Sequence, residues 1–494
     1  MATARGMALN VADLVAARAV TDPARPALFH RSGTETYGEL LARADAIAAR
    51  LRSVLHDSAP RVALMCPNGP DYVALALGVL RAGACLVPVA GELALPERTA
   101  QLALTAPQVM LAPGPEPWLP APAVAETIAG IDFSWCALTA TAAFPEDRLA
   151  ALNPAFVRFS SGTTADSKGV VLGHETLVAR VRSANRRLEI TAADRVLWTL
   201  PMAHHFAVSI MLYLLEGAGI MLYLLEGAGI VLEDSHLGGD LLTTARAHGA
   251  TVFYGSPFHL ALLAAEDSGR AWPALRLAVG TAVTLPEATA VAFQRRYGVT
   301  PAQGFGIIEA GLPLLNTDAA RAKPLSVGRP DDCALRLRGE RGADVAPGEI
   351  GELCLRGPGM FDAYLVPWRE RAAATDDGWF ATGDLASQDE DGHVFLRGRR
   401  KSIINFGGIK FFPEEVEAVL DTYPAVRESR VSGEPHERWG TVAVAEIVAR
   451  DPIGPPCAAA LVKHCRERLA GYKVPVRFRL VVELPRTASG KLRR

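Results

Sequence analysis

A loop rich in small hydroxyl-bearing residues ends in a lysine about one third of the way along the chain. Between Phe159 and Gly169, this loop places Lys168 after Ser160, Ser161, Gly162, Thr163 and Thr164. Backbone N–H groups, hydroxyls and a cation are the groups that bind phosphate oxygens. The loop is not a Walker A motif, because Lys168 precedes glycine and no Ser or Thr follows it directly. Taken alone, it is more often an ordinary connection.

Two further segments carry groups that suit nucleotide chemistry. Gln303-Gly-Phe-Gly-Ile-Ile-Glu309 offers an aromatic ring, Phe305, for stacking on a base, and a carboxylate, Glu309, for Mg²⁺. Trp379-Phe-Ala-Thr-Gly-Asp384 places a carboxylate after a tight turn, where it suits ribose hydroxyls. Two basic segments complete the set, Gly398-Arg399-Arg-Lys401 and, at the chain end, Pro485-Arg-Thr-Ala-Ser-Gly-Lys491. Each of these segments is weak evidence by itself.

The composition indicates a large chain without a strong electrostatic preference. It has 494 residues, 50% of them hydrophobic, with 51 Lys and Arg against 53 Asp and Glu. That length is too great for one hydrophobic core. A net charge of −2 removes the electrostatic argument for a nucleic-acid or anionic-membrane partner.

Cysteine usage and the first residues predict a cytoplasmic location. The seven cysteines are scattered without a C-x-x-C pair, which favours neither a disulfide framework nor a zinc site. The N-terminal residues lack the uninterrupted apolar core and the cleavage site of a signal peptide.

An apolar stretch, Val208–Leu232, contains an internal duplication. Ile210–Gly219 recurs unchanged as Ile220–Gly229, and the stretch carries Glu216 and Glu226. Two carboxylates argue against a membrane span and favour a buried helix followed by a strand. Because ten residues do not close whole helical turns, we expect one copy to be displaced from the core or the helix to be interrupted. A role for the duplication stays open.

The hydrophobic periodicity predicts an α/β protein with doubly wound parallel sheets. The predicted helices are Thr36–Leu51, Asp71–Ala82, Pro413–Asp421 and Cys457–Leu469; the predicted strands are Arg61–Met65, Cys85–Val89, Ala250–Tyr254, Leu275–Val279, a strand near Val431 and Val442–Val448. Ser326–Phe395 has the short strands and Gly/Pro turns of a smaller β-rich unit. We place a domain boundary between residues 399 and 400, which separates an N-terminal domain, 1–399, from a compact α+β domain, 400–494.

Together and in this order, the five segments resemble those of the adenylate-forming (ANL) superfamily, which includes acyl-CoA synthetases, peptide-synthetase adenylation domains and luciferases. The resemblance covers almost the whole chain and includes Thr36-Tyr37-Gly-Glu-Leu, Pro67-Asn68, Pro201-Met-Ala-His204 and Tyr472-Lys-Val-Pro475. It implies a large N-terminal domain of doubly wound parallel sheets plus a small β-barrel-like unit, followed by a small mobile C-terminal domain. It also implies a reaction in which a carboxylate attacks the α-phosphorus of ATP, after which a thiol displaces AMP.

The resemblance assigns a role to each matching residue. The nucleotide, as ATP or acyl-AMP, would contact Ser160, Ser161, Gly162, Thr163, Thr164, Thr281, Phe305, Gly306, Ile308, Asp384 and Arg399. The acyl group would lie against His204, Phe206, Tyr254, Gly280, Gly304 and Ile307, and coenzyme A would enter past Gly407, Gly408 and Lys410. Lys168 would face the phosphates, Glu309 would bind Mg²⁺, Lys401 would be the hinge, Lys491 would bridge carboxylate and α-phosphate, and His204 would guard the thiol passage.

Two departures from the family pattern predict a weakened first half-reaction. Ala165-Asp-Ser167 stands where the family has Gly-x-Pro, and Ile308 replaces a threonine beside Glu309. Losing one oriented donor near a transferring phosphoryl group costs roughly 10²–10³ in rate. We therefore expect impaired adenylation, with thioester formation from a preformed acyl-adenylate retained. The retained Lys491 argues against complete loss.

The sequence leaves open which acid is the substrate, which thiol partner is used and whether the chain catalyses this reaction. No aspartate follows His204 closely, which favours a plain carboxylic acid over an amino acid, and the small or apolar pocket residues favour a bulky hydrophobic one. A ligase that loads an acyl-carrier protein would share every motif. The same motifs also fit an enzyme that works with a companion adenylating enzyme, a luciferase-type oxygenase, and a pseudoenzyme that only binds a ligand or partner.

Overall fold

The computed structural model describes residues 8–114, 123–139, 141–159, 168–205, 228–233, 235, 237–281, 285–317, 320–407, 409–451, 454–486 and 492. The chain divides into two compact units. The first contains Met1–Ala334 and Arg356–Trp379, and the second contains Leu335–Leu355 and Phe380–Arg494. Residues 335–355 and 380–399 thus pack with the C-terminal residues. The domain boundary between residues 399 and 400 stays a prediction.

The helices of the described residues are α1 (Val11–Thr21), α2 (Tyr37–Arg52), α3 (Pro70–Arg81), α4 (Leu95–Thr105), α5 (Glu146–Ala151), α6 (His174–Leu188), α7 (Met202–His205), α8 (Gly238–Ala247), α9 (Pro257–Ala264), α10 (Glu287–Tyr297), α11 (Arg371–Ala374), α12 (Pro413–Leu420) and α13 (Ala458–Arg466). Short 3₁₀ helices cover Arg400–Ser402 and Gly471–Lys473.

The strands are β1 (Pro26–His30), β2 (Gly33–Thr36), β3 (Arg61–Leu64), β4 (Cys85–Pro88), β5 (Val109–Ala112), β6 (Val124–Ile128), β7 (Ile131–Ala137), β8 (Pro154–Arg158), β9 (Val170–Gly173), β10 (Arg195–Trp198), β11 (Gly229–Leu232), β12 (Val252–Gly255), β13 (Leu277–Gly280), β14 (Ala302–Ile307), β15 (Gly311–Leu315), β16 (Arg329–Pro330), β17 (Ala334–Arg338), β18 (Gly351–Arg356), β19 (Ala363–Tyr364), β20 (Arg369–Glu370), β21 (Phe380–Gln388), β22 (Val394–Arg399), β23 (Ile404–Phe406), β24 (Ile409–Phe411), β25 (Val426–His436), β26 (Gly440–Ala449) and β27 (Arg477–Val481).

Helix α2 illustrates how local sequence sets these elements. Thr36 and Glu39 form a capping box at its start, which satisfies N–H groups that have no partner inside the helix. Its buried residues, which include Leu40, Ala44 and Ile47, recur at helical spacing. Gly78 of α3 lets the two helices approach closely, because a Cβ there would lie 2.6 Å from Ile47 Cγ2.

The first unit contains two nine-stranded sheets, which confirms the predicted α/β class. The first sheet has the order β16-β15-β14-β13-β12-β10-β11-β1-β2, and the second has the order β20-β19-β9-β8-β4-β3-β5-β7-β6. The central strands of both pair in parallel. Both sheets are mixed, because antiparallel pairs such as β14–β15 and β8–β9 extend them.

The second unit contains the α+β segment and part of the predicted β-rich segment, Ser326–Phe395. The rest of that segment belongs to the first unit, whose sheets include β16, β19 and β20. A four-stranded sheet has the order β17-β18-β21-β22, and its β18–β21 and β21–β22 pairs are antiparallel. A second sheet, β24-β23-β26-β25 with β27 beside β26, shares a core with α12 and α13. Helix α13 ends at Arg466, so the predicted extension to Leu469 was wrong.

Most of the duplicated stretch lies outside the described residues. The predicted helix, and the predicted displacement of one copy or interruption of the helix, lie outside them too. The strand predicted to follow it is confirmed as β11, which pairs with β1 and β10. Within the described part of the chain, no helix is long and apolar enough to cross a membrane.

The imidazole of His174 makes the docking of α1 dependent on pH. The Val11 N–H donates to His174 Nδ1 at 3.0 Å, which requires that nitrogen to be unprotonated. Burial lowers the pKa of His174 to about 4. The pKa of His174 in the folded protein lies below the unfolded value of about 6.5. The neutral imidazole therefore stabilises the folded state fully above pH 6.5, and this stabilisation is lost as the pH falls toward 4.

We therefore predict that His174→Asn, which keeps an acceptor near the Nδ1 position, flattens the acid side of the stability profile. Wild type should lose on the order of 3 kcal/mol more than the variant between pH 6.5 and pH 4. Thermal melts across this range measure the difference. Parallel profiles for the two proteins would contradict the assignment.

Candidate active site

The carboxyl ends of the parallel strands bring several predicted site residues to one edge of the first sheet. Ligands of open α/β sheets bind at this edge. Strand β12 ends next to Tyr254, β13 ends at Gly280 and leads into Thr281, and β14 ends at Ile307. Helix α7, which contains His204, follows β10 at the same edge. Predictions that are far apart in sequence therefore meet here.

Three of the predicted acyl-pocket residues have packing roles in the structure. Tyr254 is buried and stacks on Trp198, with ring centroids 5.4 Å apart. A Cβ at Gly280 would lie 3.0 Å from Leu260 Cδ1, and one at Gly304 would lie 3.0 Å from Leu312 Cδ1. The missing side chains thus permit close packing, and contact with an acyl group stays a prediction.

The end of β14 and the turn that follows it carry residues predicted to contact the nucleotide or Mg²⁺. Phe305 is buried, Gly306 is exposed, and Ile308 and Glu309 are partly buried in the turn that leads to β15. A Cβ at Gly306 would come within 3.1 Å of the Gly311 carbonyl oxygen. The glycine therefore keeps this hairpin narrow.

Tyr364 connects the predicted metal residue to the predicted phosphate lysine. Its hydroxyl donates to Glu309 Oε1 at 3.1 Å. The ammonium of Lys168, an exposed residue, lies 5.1 Å from the centroid of the same ring, within the range of a cation–π interaction. One aromatic side chain thus holds a carboxylate at its hydroxyl and a cation at its ring.

Backbone hydrogen bonds fix this arrangement from both sides. The Phe361 N–H donates to the Glu309 carbonyl at 2.7 Å. The Leu365 N–H donates to the Gly169 carbonyl at 2.7 Å, and the Val366 N–H donates to that of Lys168 at 3.0 Å. The segment around Tyr364 is therefore bound both to the turn that carries Glu309 and to Lys168 and Gly169, at the end of the predicted phosphate-binding loop.

The Glu309 carboxylate fits the requirements of a Mg²⁺ ligand. Its Oε1 is oriented by Tyr364, while no hydrogen bond from a described residue reaches its Oε2. Mg²⁺ prefers carboxylate, phosphate and water oxygens. Burial, and then the charge of Glu309, raise the pKa of Tyr364, so the phenol stays protonated and keeps donating.

In the second unit, the structure brings the predicted ribose residues together. Asp384 and Arg399 are directly opposite on β21 and β22, and Arg399 Nε donates to Asp384 Oδ1 at 3.1 Å. The Asp384 N–H donates to Thr382 Oγ1 at 3.0 Å, which holds the turn before the carboxylate. The arrangement presents a carboxylate and a partly exposed guanidinium side by side.

The predicted hinge and thiol-tunnel residues lie on neighbouring elements of the same unit. Lys401 is in the exposed 3₁₀ helix after β22. Gly407 has a φ of +56°, and its N–H donates to the Trp439 carbonyl at 2.8 Å. Lys410 forms an ion pair with Glu340, so its ammonium is engaged within this unit.

Several predicted residues lie outside the described residues. They are Ser160, Ser161, Gly162, Thr163, Thr164, Phe206, Gly408 and Lys491, and the side chain of His204 shares their status. Their roles stay predictions.

Sequence reasoning missed two residues that support the site. Tyr364 is 55 positions from Glu309, and no motif connects them. Asn68 Oδ1 accepts the Met202 N–H at 2.8 Å, so it caps the start of α7 from a distant segment. The Pro67-Asn68 pair was part of the family resemblance, which was the one sequence signal that pointed to Asn68.

Comparison with known proteins shows the family to which the chain belongs. The profile of the AMP-binding enzyme family matches residues 15–365, and that of the AMP-binding enzyme C-terminal domain matches residues 415–491. The chain is 30% identical to a sulfoacetate–CoA ligase of Cupriavidus necator, over 98% of this chain and 96% of that protein. It is also 30% identical to an indoleacetate–CoA ligase of Aromatoleum aromaticum, over 98% and 97%.

Solved structures share the fold over almost the full length. ATP-bound MatB from Rhodopseudomonas palustris has a TM-score of 0.82 at 24% identity, covering 98% of this chain and 97% of its own. The o-succinylbenzoate CoA synthetase MenE of Bacillus subtilis, in complex with its acyl-adenylate, has a TM-score of 0.81 at 26% identity, with 97% and 96% covered. The chain belongs to the AMP-binding enzyme family, the adenylate-forming superfamily, and is an enzyme of the acid–thiol ligase type.

We predict that Tyr364→Phe lowers the rate of ATP-dependent adenylation about 3- to 10-fold, because it removes one hydrogen bond that orients Glu309. Tyr364→Leu should lower it further, because it also removes the ring beneath Lys168. Pyrophosphate exchange measures both. Tyr297→Phe is the matched control, since its hydroxyl donates to the Leu263 carbonyl at 2.7 Å, away from this edge. Equal effects of the two Tyr→Phe changes would contradict the role of Tyr364.

Proposed function

We propose that the protein is an acyl-CoA ligase that activates a carboxylic acid through an acyl-adenylate. A carboxylate oxygen forms a bond to the α-phosphorus of ATP and pyrophosphate leaves. The thiol sulfur of coenzyme A then forms a bond to the acyl carbonyl carbon, the thiol proton passes to solvent, and AMP leaves with the former carboxylate oxygen. The observation that carries the proposal is the Lys168–Tyr364–Glu309 arrangement, which places a cation and a carboxylate on either side of one aromatic side chain.

The residues of the first unit supply charge and position rather than covalent chemistry. Lys168 would neutralise a phosphate oxygen, and Glu309 would hold Mg²⁺, which supplies charge neutralisation to the phosphates when bound. Tyr364 would keep Glu309 in one orientation through its hydroxyl.

The second unit supplies the other proposed ligands. Asp384 and Arg399 are the proposed ribose ligands, and Lys491 is the proposed bridge between carboxylate and α-phosphate.

Coenzyme A is the proposed thiol rather than a carrier protein. The relatives that are 30% identical over nearly the whole chain are named as CoA ligases, and they act on sulfoacetate, indoleacetate and, in Amycolatopsis, ferulate. These acids differ widely in size and charge. The relatives therefore support coenzyme A as the thiol substrate, but they do not indicate a particular acid. A plain, bulky hydrophobic acid and a cytoplasmic location stay predictions of the sequence.

The proposed function includes a slow first half-reaction. Ile308 is partly buried next to Glu309 and offers a hydrocarbon side chain where the family pattern has a hydroxyl. Transition-state charge on the phosphoryl oxygens would thus lack one oriented donor. The second half-reaction does not use that hydroxyl, and a companion enzyme that supplies acyl-adenylate is compatible with this division.

A panel of carboxylic acids with ATP, Mg²⁺ and coenzyme A tests the function. We expect AMP and one acyl-CoA to form in equal amounts with the correct acid, measured by mass spectrometry. Replacing coenzyme A by a pantetheinylated carrier protein should give little thioester. Absence of AMP and thioester across the panel, and with supplied acyl-adenylates, would contradict the proposal and favour a binding-only protein.

The double variant Ala165→Gly/Ile308→Thr tests the slow half-reaction. We expect it to raise pyrophosphate exchange by at least about tenfold, because it restores one hydroxyl donor and removes one Cβ from the loop. Thioester formation from supplied acyl-adenylate should be unchanged. Wild-type exchange as fast as that of the variant would refute the impairment.

A further inference from the structure

A buried arginine with unused donors lies beneath the β14–β15 hairpin. Arg180 of α6 is only 3% exposed, and its Nε donates to the Gly359 carbonyl at 2.5 Å. Among the residues that the structure describes, nothing accepts a hydrogen bond from its Nη1 or Nη2, and both atoms are buried. A guanidinium carries five N–H donors, so most of its hydrogen-bonding capacity is unsatisfied.

Two glycines shape the space that Arg180 occupies. Gly311 has a φ of +76°, and a Cβ there would lie 3.2 Å from the Arg180 side chain. Gly359 has a φ of +70°, and a Cβ there would lie 2.6 Å from the same side chain. Gly311 is paired across the hairpin with Ile307, one of the predicted acyl-pocket residues. The arginine stem is therefore enclosed by backbone at the hairpin whose turn carries Glu309.

The nearby charges do not neutralise this cation by direct contact. Arg158, at the end of β8, is also buried, and its positive charge acts on Arg180. Asp362 accepts from the Gly173 N–H and from Thr176 Oγ1, and Glu309 Oε1 accepts from Tyr364. Burial, and then Arg158, lower the pKa of Arg180 to about 9, so it remains charged at pH 7.

Another buried arginine in the same unit is hydrogen-bonded far more completely. Arg61 is 1% exposed, and its three side-chain nitrogens donate to the carbonyls of Ala59, Thr105 and Ala106 and to the Glu146 carboxylate. A buried charge that lacks partners is costly, whereas a paired one is not. Among the described residues, Arg180 therefore lacks the carboxylate and carbonyl partners that Arg61 has.

We infer that Arg180 binds an anionic oxygen group of a substrate through Nη1 and Nη2. The inference rests on the proposed function, because that reaction brings two sources of such a group to this hairpin. One is a phosphate of the nucleotide or of pyrophosphate, beside Glu309. The other is a second carboxylate or sulfonate on the acid, beside Ile307. The shared chemistry is bidentate recognition of a planar or tetrahedral oxyanion.

Binding measurements on Arg180→Met test the inference without requiring turnover. The probes are inorganic pyrophosphate, ATP and two matched pairs of acids, benzoate with terephthalate and butyrate with succinate. We expect the variant to bind one class of anion about 10- to 100-fold more weakly in calorimetric titrations, as expected for a lost charge-assisted bidentate contact. Weaker pyrophosphate and ATP binding identifies the phosphate source, and weaker binding of only the doubly charged acids identifies the acyl source.

Two controls separate ligand binding from folding. Arg182→Met changes an exposed arginine on the same helix and should leave every binding constant unchanged. Without ligand, Arg180→Met should melt no lower than wild type, because a buried unpaired cation does not stabilise the free protein. If Arg180→Met does not fold, Arg180→Lys takes its place, since it keeps the charge but loses the bidentate geometry.

The outcomes distinguish this inference from the proposed function. Binding constants for Arg180→Met within twofold of wild type for every probe, or a wild-type protein that binds none of the anions, would overturn the inference even if AMP and acyl-CoA are formed. Conversely, anion binding that depends on Arg180 would support it even if the acid panel gave no product.

Discussion

The Tyr364–Glu309 hydrogen bond joins the two sheets of the first unit at the point where chemistry is proposed. Tyr364 belongs to β19 of the second sheet, and Glu309 follows β14 of the first. The Phe361 N–H, which donates to the Glu309 carbonyl, binds the same two segments through the backbone. Because both contacts converge on one residue, Glu309 is held to the segment whose Tyr364 ring lies near the Lys168 ammonium. Rearrangement of either sheet would therefore disturb the proposed metal ligand and the proposed phosphate ligand together.

The β14–β15 hairpin is the element around which we propose that the substrates are arranged. Its first strand carries Ile307, its turn carries Glu309, and its second strand begins at Gly311, against the buried Arg180. An apolar, an acidic and a basic side chain thus lie along or against one hairpin. Such a mixture suits a reaction that joins a carboxylate to a polyanionic nucleotide, where charge must be placed before the bond is formed.

The sequence predicted the elements well, because burial leaves a periodic hydrophobic pattern. Helix Asp71–Ala82 and strand Cys85–Val89, for example, match the observed α3 and β4 within one residue. Partners from distant segments leave no such pattern, which explains why the supporting roles of Tyr364 and Asn68 were missed. The packing of 335–355 with the C-terminal residues was likewise absent from the predicted boundary, because it depends on contacts between strands far apart in sequence.

The central claim, that a carboxylate attacks the α-phosphorus at this edge, can be tested by tracing one oxygen atom. The correct acid, labelled with heavy oxygen in its carboxylate, is converted with ATP and coenzyme A, and the AMP is analysed by mass spectrometry. The account predicts one labelled oxygen in each AMP formed, because the acyl carbon–oxygen bond breaks in the second step. Unlabelled AMP, or label in ADP or inorganic phosphate, would contradict it.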